Sequence, residues 1–168
     1  MLITNEIGGV FVKKVNIYLE SNVKSTRPID GWCGYVIEAQ VVRGGEVIDK
    51  TKEGFCFLKS RTANQMILEA LFMALERFQK PSDITVFTDN IHISNSLHEG
   101  WPQRWQANGW RNTAGKQVKN SYLWQKVHEK MQPHLVHVEY TRCHPYKLWM
   151  QREIQNRKKA VSDEDGCA

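Results

Sequence analysis

Apolar and polar positions alternate in VNIYLE, Val15 to Glu20, and this two-residue period predicts a strand. A second strand is expected from Gly34 to Val42. Gly44-Gly45 supplies a hairpin turn into a third, which runs through Phe57. At Thr62 the period lengthens: Ile67, Leu71, Ala74, Leu75 and Phe78 recur at helical spacing, with Thr62 placed as N-cap. Lys80-Pro81-Ser82 stops that helix. Ile84 to Thr88 reads as a short buried strand with Asp89 at its carboxyl end, where open α/β sheets present ligands. Helices are expected from Ile91 to Leu97, Gln103 to Asn108 and Ser121 to Met131, a fifth strand from Leu135 to Tyr140 and a last helix from Lys147 to Ala160. This order predicts an α/β fold, a five-stranded mixed sheet flanked by helices. Residues 1–12 read as an N-terminal extension, 13–160 as the domain, and 161–168 as an acidic, frayed tail.

Charge changes the picture more than composition does. The net charge is +5, yet residues 101–160 hold twelve of the 23 Lys and Arg against three acids, Glu129, Glu139 and Glu153. Such asymmetry steers a polyanion onto one face. Within it, WPQRWQANGWRNTAGKQVKN interleaves Trp101, Trp105 and Trp110 with Arg104, Arg111, Lys116 and Lys119 and contains no acid. Cations release counterions from phosphates and flat rings lie against sugars and bases, so this basic protrusion is a nucleic-acid surface in outline. Core packing competes for the tryptophans, above all Trp110 and Trp124, and Trp101 and Trp105 would share one helical face. No long apolar run or Lys-rich amphipathic helix suggests a membrane, and the N-terminus lacks a signal-peptide pattern. Cys33, Cys56, Cys143 and Cys167 have no zinc-ligand spacing and are expected as free thiols. An intracellular protein is expected, cytoplasmic or, in a eukaryote, nuclear.

The segments VNIYLES, GWCGYVIEA, RTANQMILEALFMALE, VFTDN, GWRNTAGKQVKNSYLWQ and YTRCH together resemble a ribonuclease H of the cellular type 1 class, over about residues 13 to 160. The match at GWRNTAGKQVKN is highly specific, because no general fold rule demands that order. The resemblance implies a grip on RNA/DNA hybrids and hydrolysis of their RNA strand. It also implies two divalent ions about 4 Å apart, held by an Asp ending the first strand, a Glu in the first helix, an Asp ending the fourth strand and an Asp in the last helix.

The carboxylate set departs from that pattern. Asp89 matches the central aspartate, while Glu20 stands at the first-strand position with one extra methylene, so Asp89 and Glu20 are the expected metal ligands. The helix glutamate falls at Ile67. Glu69 lies about 200° further round the helix and is no easy substitute. An ungapped count from His144 puts Ile154 at the last aspartate position, and a one-residue shorter loop puts Glu153 there. His144 matches a loop histidine that assists proton transfer or product release, although Cys143 replaces the usual glycine before it. Asp89, Glu20, Glu153 and His144 are thus the catalytic candidates.

Binding positions match better. Thr62 and Asn120 match a pocket for a DNA-strand phosphate, and Asn64 lies where ribose hydroxyls are read. Ala63 replaces a usual asparagine. Trp101, Trp105 and Thr113 match the channel for the DNA backbone, with Arg111, Lys116 and Lys119 on the basic protrusion. The favoured expectation is a ribonuclease H-like protein that binds RNA/DNA hybrid or duplex nucleic acid with impaired or absent cleavage. Mg2+ binding is then weak or absent, with Mn2+ an alternative ion. The alternative is an active metal-dependent endoribonuclease rebuilt on Glu20, Asp89 and Glu153, with Glu69 as a further candidate; a protein-interaction module would leave the cationic tryptophan surface unexplained.

Overall fold

A computed structural model describes the backbone of residues 4–7 and 10–165, with side chains described for 14–40 and 43–162. The strands are β1 (Thr4–Ile7), β2 (Val10–Ser21), β3 (Ile29–Arg43), β4 (Glu46–Arg61), β5 (Ser82–Thr88) and β6 (Leu135–Tyr140). The helices are α1 (Ala63–Leu75), α2 (Ile91–His98), α3 (Trp101–Ala107), α4 (Ser121–Met131) and α5 (Lys147–Asp165). Five strands form a mixed sheet in the order β4-β3-β2-β5-β6, and short β1 pairs with β2 inside the segment expected as an extension. The β2-β3-β4 meander is antiparallel, whereas β5 and β6 run parallel to β2. Gly44 and Gly45 turn the long β3-β4 hairpin with φ of 58° and 86°, values a β-carbon would disfavour.

The two-residue period of β2 divides its side chains between the sheet faces. Ile17 and Leu19 join Met66, Leu68, Leu71 and Trp124 in the main core beneath α1 and α4, while Tyr18 packs with Val36 and Met150 on the α5 face. Each such buried apolar side chain contributes about 1.5–3 kcal/mol. Thr62 caps α1 in a reciprocal capping box with Gln65, which fixes the helix start where the sequence places it. Three helices differ from expectation at their ends: α1 stops at Leu75, short of Phe78 and of the expected stop at Lys80-Pro81-Ser82. α3 begins at Trp101 because Pro102 suits a first turn, and α5 runs on to Asp165, into the segment expected as a tail. No helix among the described residues is long and apolar enough to cross a membrane. Cys33 and Cys56 face one another across β3 and β4 as free thiols, Cys143 is free, and Cys167 lies outside the described residues.

Candidate active site

Parallel pairing of β2 with β5 puts Tyr18 opposite Phe87, and two residues further along each strand brings Glu20 and Asp89 side by side at the carboxyl ends. β6 extends this edge. Thr141 N donates to Thr88 O at 2.9 Å, and a tight turn on the Thr141 hydroxyl then carries the chain back over the strand ends to His144. Glu20 is 1% exposed, and its Oε1 accepts from His144 Nε2 at 3.1 Å. The His144 ring stacks on Tyr18, whose hydroxyl donates to Glu38. Burial, then the Glu38 carboxylate, raise the Tyr18 pKa to about 12.

Two lysines complete the site, and neither was expected from sequence. Lys147, at the start of α5, places its ammonium 3.3 Å from Glu20 Oε1 and 3.3 Å from Asp89 Oδ2. Lys24, in the turn after β2, reaches the same Asp89 oxygen at 3.0 Å. Partial burial pushes the Asp89 carboxyl up, but the hydrogen bonds and charges of Lys24 and Lys147 outweigh it and hold the pKa below its ordinary value. Lys147 mirrors this: burial lowers its pKa, and the charges of Glu20 and Asp89 more than restore it, so the group stays an ammonium. The one available signal was spacing. Lys147 lies seven residues, two helical turns, before Ile154 and so on the same face of α5.

That face also carries Met150, and Met150 and Ile154 are both buried. Glu153, about 100° round the helix from Ile154, is half-buried off this stripe. Ile67 is 2% exposed and packs into the main core, and Glu69 points instead toward Arg61. Among the described residues no three His, Cys, Asp or Glu side chains are grouped to hold a metal.

The expected binding residues fall along a connected track. Asn90, which caps α2, donates to Asn64 Oδ1 at 2.7 Å, tying the Asp89 loop to the first turn of α1. Gln65, bonded to Thr62, donates to Asn120 Oδ1 at 3.1 Å and so joins the N-termini of α1 and α4. Gln65, which no sequence motif singles out, is thus the residue that links Thr62 to Asn120. Beyond Asn120 the basic protrusion is a tight loop: Arg111 donates to Gly115 O at 3.0 Å, and the Asn112 carboxamide accepts from the Ala114 and Lys116 amides. Arg111, Thr113, Lys116 and Lys119 are all exposed.

The tryptophans form a ladder from solvent to core. His92, Trp101, Trp105 and Trp124 contact ring to ring in that order; Trp101 and Trp105 are partly exposed and Trp124 is buried. Trp110 packs against the core and meets His128 edge-on. Trp105→Ala should therefore cost about 2–3 kcal/mol of stability, whereas Trp101→Ala should cost less than 1 kcal/mol, as read by urea midpoints.

The RNase H family model matches residues 13–155. This chain belongs to the RNase H family. The ribonuclease H of Caldicellulosiruptor saccharolyticus is 32% identical over 133 residues, 79% of this chain and 86% of its own length. That of Francisella philomiragia is 30% identical over 160 residues, 94% of this chain and 99% of its own. The fold is shared with the crystal structure of LC9-RNase H1, described as a type 1 RNase H with the type 2 active-site motif, at TM-score 0.66 and 20% identity over 81% of this chain and 66% of that one. LC11-RNase H1, solved in complex with RNA/DNA hybrid, superposes at TM-score 0.51 and 16% identity, over 76% of this chain and 84% of that one.

RNase H enzymes generally use divalent metals, and the residues of this chain do not fit a two-metal centre. Magnesium requires converging hard oxygen ligands. Among the described residues no group of three possible ligands forms around Glu20 and Asp89, Ile67 and Ile154 are buried apolar side chains, and the two carboxylates are bridged by an ammonium.

Proposed function

We propose that this RNase H-family protein binds RNA/DNA hybrid or duplex nucleic acid without cutting it. The observation that carries this reading is Lys147: its ammonium bridges Glu20 and Asp89 at 3.3 Å from each, where hydrolysis would need the carboxylates free for metal. His144 supports the same reading, since its Nε2 is engaged with buried Glu20 rather than free to exchange a proton with substrate. The track from Asn64 through Thr62 and Asn120 to the basic protrusion is the binding surface, and relatives of this fold have been solved on such nucleic acids.

Two measurements test it. Hybrid affinity should fall steeply with salt, about 0.9 in log–log slope for each phosphate contact. Trp101→Ala should weaken it with the fold intact. Calorimetric titration of the protein alone with Mg2+ should detect no tight site. Affinity indifferent to salt, or two tight Mg2+ sites, would contradict the proposal.

A further inference from the structure

We infer that Lys24 and Lys147 form a metal-independent clamp for a backbone phosphate of the bound nucleic acid, set in the position where the family places its carboxylate-held ions. The inference rests on the nucleic-acid-binding reading and specifies how the degenerate site takes part in it.

Charge makes the first argument. A site of four clustered carboxylates repels phosphate until cations arrive. This one keeps two carboxylates, Glu20 and Asp89, and adds two ammonium groups within 3.3 Å of them. Exposed Arg142 adds a third cation within reach of the Asp89 charge. The balance at the mouth of the site is therefore positive, because Glu20 lies beneath it at 1% exposure.

Donor geometry makes the second. An ammonium carries three donors. Lys24 gives one to Asp89 Oδ2 and its side chain is 56% exposed, so two point to solvent. Lys147 spends two on Glu20 and Asp89 and retains one. Both ammonium groups sit on the same carboxylate oxygen, which holds them close enough for one tetrahedral phosphate to bridge them. Asp89 then acts as a positioning residue that fixes two flexible side chains in advance.

Continuity makes the third. Ser25 O accepts from Ala63 N at 2.9 Å, so the Lys24 turn is tied to the start of α1. From there the Asn90–Asn64 and Gln65–Asn120 bonds lead to the basic protrusion. The clamp is thus one end of a single cationic and amide-lined track, and a strand lying on that track delivers a phosphate to it.

Hybrid binding to the full chain, followed by fluorescence anisotropy across a salt series in EDTA and in Mg2+, tests the clamp. Chelation should leave affinity within about twofold. Lys24→Ala and Lys147→Met should each reduce the salt slope by about 0.9 and weaken binding about threefold to tenfold at low salt. Lys24→Ala keeps the test decisive if Lys147→Met fails to fold, because Lys24 is largely solvent-exposed. Inorganic phosphate at matched ionic strength should not displace the hybrid; displacement would mark a free-anion site and overturn the inference. Unmodified protein that binds hybrid, with an unchanged slope in Lys24→Ala or a requirement for Mg2+, overturns the clamp alone. Failure of the unmodified protein to bind hybrid at all overturns the binding reading and the clamp together.

Discussion

Glu20→Asp, Ile67→Glu and Ile154→Asp introduced together should leave the protein inert on an RNA/DNA hybrid, and adding Lys147→Ala should then switch on Mg2+-dependent cleavage by at least about a hundredfold, equivalent to about 2.7 kcal/mol of barrier. The three substitutions supply carboxylates at the positions where the resemblance, counted without a gap, implies them. The ammonium, however, still occupies the space between positions 20 and 89, 3.3 Å from each carboxylate in the natural site. Ligands that act as a unit are strongly non-additive, so each change alone should do little. Positions 67 and 154 are 2% and 3% exposed, and two carboxylates buried there cost several kcal/mol until metal compensates them. Near-ultraviolet circular dichroism and a melting curve, with and without Mg2+, check that each variant is folded before its rate is read.

Removing Lys147 from the natural protein should have the largest effect on stability. Lys147→Met leaves Glu20 buried with His144 as its remaining ionisable partner, and breaking a buried pair from one side costs about 3–5 kcal/mol. Adding Glu20→Gln should return most of that loss, because a neutral amide needs no counter-charge. Urea unfolding of the two single variants and the double variant gives the coupling directly. The pH dependence follows from the two shifted groups. Asp89 is held below 3.8, so its contribution is present above that pH and is lost as pH falls through the folded value. Lys147 is held above 10.5, so its contribution is complete below that pH and disappears as pH rises through the folded value. The ion cluster therefore supports the fold across the whole interval from about 4 to about 10. In the Lys147→Met variant the alkaline loss attributed to Lys147 should be absent.

Much of this architecture was legible because local rules and packing agree. The Gly44-Gly45 turn follows from two residues at positive φ, the period change at Thr62 from a side chain that caps the helix, and β5 from a short apolar run ending at Asp89. β1 was not legible, since TNEI has too few residues to establish a period. The end of α5 was obscured because helix formers continue into an acidic stretch that reads equally well as a solvated tail. At the site, Asp89 could be named because it ends a strand where open α/β sheets present ligands, and Glu20 because the resemblance puts it at the first-strand carboxylate position. Lys24 and Lys147 could not. Their ammonium positions depend on four-carbon side chains and on contacts between residues 65 and 58 positions apart in the chain. The choice between Glu153 and Ile154 depended on loop length, which the sequence leaves open; in the folded chain Ile154 is the residue turned inward with Lys147 and Met150.

Incubation of the unmodified protein with an end-labelled RNA/DNA hybrid, in Mg2+ and in Mn2+, at a concentration where anisotropy shows the hybrid bound, tests the central claim most directly. Intact RNA in the bound complex, with an active RNase H cutting the same hybrid in parallel, is the predicted result. Metal-dependent cleavage that Asp89→Asn abolishes would contradict it and show that Lys147 yields its place to metal.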